Sequence, residues 1–159
     1  MLSIAPFFQW CDGSIIGQMI RNSRVAFPII ENFHLFGLTI LLGSFVILAL
    51  RQFGVLYKTQ PISAVAKALR PWNRWSLAVM LVSGTLLFMS EAMKCYTNTS
   101  FRVKMLFLFA ALLFQFTIYN RLVAREDKVA HAGGKVAAAV VLCLWFGVGL
   151  AGRAIGFLG

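Results

Sequence analysis

Four long stretches of the chain, about 28–50, 75–93, 103–120 and 136–152, hold at most one charged residue each. Each is close to the roughly 20 apolar residues that a helix needs to cross a bilayer. The pattern predicts four transmembrane helices. Ahead of them, Ile16, Met19 and Ile20 fall at helical spacing within Ser14–Arg21. That segment is too polar to span and reads as a short interfacial helix closed by Arg21 and Arg24. Pro28 suits the first turn of the first span. Trp72 and Trp75 stand where interfacial anchors of the second would lie. Pro61–Arg70, in the basic segment between these two spans, is expected to form a separate surface helix, and Lys94–Ser100 a polar turn.

Composition agrees with this pattern. Of the 159 residues, 60% are hydrophobic and 13% charged, with a mean hydropathy of +0.80. A soluble domain carries about a quarter charged residues. The expected fold is therefore all-α, an integral membrane bundle of four helices in one domain over residues 1–159. The N-terminus has neither a basic leader nor a continuous apolar core and does not read as a cleaved signal peptide.

The net charge of +10 would suggest nucleic acid in a soluble protein. Here the basic residues flank the apolar runs, so anionic lipid is the expected partner and nucleic acid is excluded. Nine Lys and Arg lie in segments 51–74 and 121–135, against six on the other side. That bias places both termini outside the cytoplasm.

The polar residues inside the spans then share one layer. Glu31 and His34, three apart, occupy one helix face near the outer end of the first span. Glu91 ends the second, Arg102 and Lys104 open the third, and Arg153 follows the fourth. Such groups in hydrocarbon normally face the bundle interior and pair, or form a functional site. An ion-pair network is one reading of this layer. The other is a ligand site, with His34 binding haem b or copper and Met89, Met93 and Met105 as thioether donors. His131 belongs to the opposite surface, so one haem cannot take both histidines. Cys11, Cys95 and Cys143 form no CxxC or CxxCH pattern, which excludes a zinc knuckle and covalent haem. No nucleophile elbow, SxxK or HExxH occurs, and a catalytic role is the least favoured.

Phe27-Pro-Ile-Ile-Glu31-Asn-Phe-His34-Leu-Phe-Gly37, followed by Leu50-Arg-Gln-Phe-Gly54, resembles the first helix of a family of small bacterial inner-membrane proteins with an E-x-x-H-x-x-G pattern. Arg70-Pro-Trp72, Ser83-Gly84, Leu87-Phe-Met-Ser-Glu91, Phe101-Arg-Val-Lys104 and Ala151-Gly-Arg153 extend the resemblance. It implies a four-helix inner-membrane domain that brings Glu31, His34, Glu91, Lys104 and Arg153 together, and it implies no activity. The leading expectation is a binding or electron-transfer module with a His-containing site near the outer face. A proton-coupled carrier of small substrates, and an accessory subunit that docks on another membrane protein or on its own copy, are the alternatives.

Overall fold

In hydrocarbon every backbone N–H and C=O must be satisfied within the protein, so long apolar runs become helices. The computed structural model describes residues 5–124 and 132–158, and every regular element among them is helical. Two short helices, α1 (Ala5–Asp12) and α2 (Ile15–Asn22), precede α3 (Ala26–Gln52) and α4 (Ile62–Ser90). A single-turn element α5 (Ala92–Thr97) leads into α6 (Thr99–Phe114). A π-helical turn (Gln115–Tyr119), α7 (Asn120–Ala124) and α8 (Ala132–Leu158) complete the chain. Three segments, Ala26–Gln52, Thr99–Val123 and Gly133–Ile155, are long and apolar enough to cross a membrane. This is a helical membrane protein.

α4 is as long as these but is not among them, because its first half carries Lys67, Arg70, Asn73 and Arg74. It starts well before the expected boundary near Trp75. The surface helix foreseen over Pro61–Arg70 and the second apolar run form one continuous helix through Pro71. Proline removes one donor from the ladder, but the turns on either side hold the helix together. The expected polar turn after the second span instead contains α5. Asn98 then caps α6, its side chain accepting from Ser100 N at 2.8 Å and Phe101 N at 3.3 Å. The N-terminal segment holds α1 as well as the expected short helix, which is realised as α2.

α3 lies between α4 and α8, and α8 packs in turn on α6, so the long helices follow the order α4, α3, α8, α6. α7 returns to touch α4 at one end. Leu41, Phe45, Val141, Trp145 and Val148 form the centre and are fully buried. Phe45 stacks on Trp145 with ring centroids 6.0 Å apart and meets Tyr119 edge-on at 5.9 Å. The Trp145 indole N–H donates to Gln115 Oε1 at 3.2 Å, which satisfies a donor that burial would otherwise leave exposed to hydrocarbon.

At the other end of the bundle, α2 rests on α4 and α1 on α5. Ser14 caps α2, its hydroxyl accepting from Gly17 N at 3.1 Å, and Arg21 bridges back to Asp12 at 2.9 Å. Gly17 touches α4 so closely that a Cβ there would collide with the Met89 carbonyl. That carbonyl is backbone and cannot swing aside. By contrast, a Cβ at Gly43 would meet nothing within 4 Å. Gly17→Ala should therefore destabilise the folded protein by about 1–3 kcal/mol. Gly43→Ala, which only improves helix propensity, should leave stability unchanged or raise it by up to about 1 kcal/mol. Unfolding curves of the two variants in one detergent check the opposite signs.

Candidate functional site

A cavity of about 440 Å³ opens where the ends of α3, α4, α6 and α8 come together. It lies at the end of the bundle where α3 begins, α4 ends, α6 begins and α8 ends. Glu31 and His34 line it from α3, Glu91 from the α4–α5 junction, Lys104 from α6 and Arg153 from α8. Five of the six ionisable residues singled out as a polar layer thus meet at one cavity. Its remaining wall is apolar, with Phe27, Leu38, Leu87 and Phe101 among the lining residues. Glycines at 84, 149 and 152 leave the space open. A Cβ on Gly84 would sit 3.2 Å from His34 Cε1, and one on Gly152 would sit 3.5 Å from Lys104 Nζ.

His34 is held against α4. Its Nδ1 lies 2.9 Å from Ser83 Oγ. The Ser83 hydroxyl donates its one proton to the Val79 carbonyl of its own helix, as helical serines commonly do. With the hydroxyl proton on Val79, Ser83 Oγ accepts from the imidazole, whose proton then sits on Nδ1. Met80, on the same helix as Ser83, also lines the cavity. A neutral ring fixed in this tautomer keeps its lone pair on Nε2, the nitrogen farther from α4. A carbonyl or hydroxyl that fixes Nδ1–H in this way is the arrangement that orients a ligating histidine.

The charged neighbours are unequal. Glu91 is already engaged, with Lys94 Nζ 2.6 Å from Oε1. Glu31 and Lys104 line the cavity without a hydrogen bond or ion pair among the described residues. Lys104 is close enough to act electrostatically on both His34 and Cys95. Two aromatic rings, Phe88 and Phe101, stack 5.5 Å apart across the gap between α4 and α6. Phe8 of α1 packs edge-on against both, at 5.4 and 6.5 Å. The N-terminal helices therefore cover one side of the cavity.

The other foreseen residues stand elsewhere. Arg102 is exposed and donates to the Tyr96 carbonyl at 3.3 Å. Met93 and Met105 are exposed, and Met89 belongs to the face of α4 that meets α2. None of these three lines the cavity, so the thioether set expected to join His34 in holding copper is not assembled. Among the described residues no three His, Cys, Asp or Glu side chains group as a metal site. His131 lies outside the described residues. Sequence reasoning missed Ser83 as the partner of His34, and Met80 and Cys95 as lining residues, because they stand on other elements than the histidine.

Cys95 is buried beside the cavity. Its burial, and next the Glu91 carboxylate, push the thiol up to about 11. Raising a thiol from its ordinary value removes about tenfold of thiolate per unit at neutral pH. In a chain retaining only this cysteine, alkylation by iodoacetamide at pH 7.5 should run about a hundredfold slower than in the unfolded chain. The rate should keep climbing with pH up to about 11. A rate levelling off near pH 9 would show an unburied thiol.

No curated protein and no solved structure matches this chain. A family match spans residues 7–158, nearly the whole sequence. The chain belongs to the family of unknown function DUF6644.

Proposed function

We propose that this protein is an integral membrane binding module of the bacterial inner membrane, with four spans and both termini on the periplasmic side. In this reading α4 is the remaining span, its basic N-terminal turns snorkelling to the cytoplasmic surface. α1 and α2 lie in the outer interface with Trp10, Ile15 and Met19 toward lipid, which their exposure supports. The cavity between α3, α4, α6 and α8 is the binding site.

The observation that carries the proposal is His34 in the cavity wall with its Nδ1 held 2.9 Å from Ser83 Oγ. A histidine whose Nδ1–H is held by Ser83 offers Nε2 as a permanent electron-pair donor to the cavity it lines. Lys104 and Arg153 bring positive charge to the same space, and the Phe and Leu wall favours an apolar body. Haem b is a ligand class that uses all three features: an iron for an imidazole, acidic side arms for cations and an apolar ring. Bound there, it would supply one-electron chemistry. His34 would hold the iron, Ser83 would keep the imidazole oriented, and Lys104 and Arg153 would hold the acidic groups. The cavity volume falls within the range of about 300–1,000 Å³ common to small-molecule sites. Copper is the weaker candidate, since the methionines stand apart.

Absorption spectra of protein purified in mild detergent test this. The expected result is a Soret band with α and β bands that sharpen on dithionite reduction. His34→Ala should abolish them and His131→Ala should leave them intact. Ser83→Ala, which frees the ring, should weaken retention of the group by about 10–100-fold. A well-folded, colourless preparation refutes the haem reading. The proton-coupled carrier would then take its place, resting on Glu31 as the cavity carboxylate without a partner among the described residues.

A further inference from the structure

A second cavity, of about 290 Å³, lies at the opposite end of the bundle, between the first half of α4 and the π-helical turn. Arg70 and Arg74, one helical turn apart on α4, line it together with Asn73, Tyr119 and Asn120. Neither arginine has a hydrogen bond or ion pair among the described residues. The described acids are all at the other end: Asp12 is bound to Arg21, and Glu31 and Glu91 line the first cavity. Tyr119 is 1% exposed, and its hydroxyl has no hydrogen-bond partner among the described residues. The same holds for the buried Oδ1 of Asn73.

The π-turn explains why the tyrosine is there. Asn120 N donates to the Gln115 carbonyl, five residues back, so the helix is widened by one residue at this point. Gln115 is held by Trp145, and Tyr119 is driven inward beside it with its ring on Phe45. A buried hydroxyl without a partner is unfavourable, because it has given up its bond to water. Two buried polar atoms on residues that line a cavity, beside two arginines without an acid among the described residues, make a site that asks for an anion.

Trp72 and Trp75, 60% and 74% exposed, bracket the same turns of α4. Exposed tryptophans of a membrane helix sit at head-group depth. From these observations we infer that this cavity binds a phosphate-bearing anion, its oxygens held by Arg70 and Arg74 and by the Tyr119 hydroxyl. Asn73 Oδ1 is an acceptor and requires a donor on the ligand, which a glycerol head group supplies and a bare phosphodiester does not. Phe116 and Leu77 continue the wall in an apolar direction suited to acyl chains. Phosphatidylglycerol and free phosphate share the recognised group.

The experiment is a thermal melt of the full chain in detergent with added phosphatidylglycerol, phosphatidylcholine or inorganic phosphate. Phosphatidylglycerol should raise the Tm by several degrees, and phosphatidylcholine should not. Arg70→Gln/Arg74→Gln should lose the rise. Tyr119→Phe, which keeps the ring packing on Phe45, should reduce it and confirms the site if the double variant fails to fold. A rise with lipid alone assigns the site to a lipid head group, and an equal rise with inorganic phosphate assigns it to a soluble phosphate. An equal response to both lipids, or a response retained in both variants, overturns the proposal.

Discussion

An ionised side chain in hydrocarbon costs at least a few kcal/mol unless it finds water, a partner or a ligand. That cost organises this molecule. Through the middle of the bundle the helices meet by apolar packing, around Leu41, Phe45, Val141 and Trp145. The hydroxyls there fold back on their own helices, as Ser44 does to Ile40 and Thr39 to Leu35. A polar pair at the core, Trp145 with Gln115, is satisfied internally. Charge is confined to the two ends, where the helices part and cavities open.

The two ends differ in kind. The first gathers carboxylates, cations and an imidazole from every long helix, around a space kept open by glycines and roofed by the Phe8, Phe88 and Phe101 rings. The second is purely cationic among the described residues and rests on a helical irregularity. π-Turns inside helices are often found at functional sites, because they set a side chain where a regular helix would not. Here the turn sets Tyr119 in the core with a hydroxyl that has no partner among the described residues.

The apolar runs made three of the long helices legible, because in hydrocarbon nothing but a helix satisfies such a backbone. Where α4 begins was not legible. The basic residues Lys67, Arg70 and Arg74 read as an interruption, yet lysine and arginine have stems long enough to carry charge to a surface without breaking a helix. At the site, Glu31 and His34 could be placed together because they share one helix face. The methionines could not. Met89 and Met93 are four apart, but the helix breaks between them at Glu91, whose φ of −134° and ψ of 33° end α4. Met105 follows Lys104 directly, and one residue turns a helix by about 100°. Ser83, which fixes the imidazole, is 49 residues from His34 and joins it only through the α3–α4 contact. No local pattern announces such a partner.

The central claim is that the convergence of Glu31, His34, Lys104 and Arg153 is a binding site rather than an internal ion-pair network. A crystal structure of the full chain grown from a lipid phase decides this most directly. The account predicts non-protein density in the first cavity within bonding distance of His34 Nε2, with Lys104 Nζ turned toward it. A cavity closed by Glu31 bonded directly to Lys104, with no space left beside His34, would contradict it.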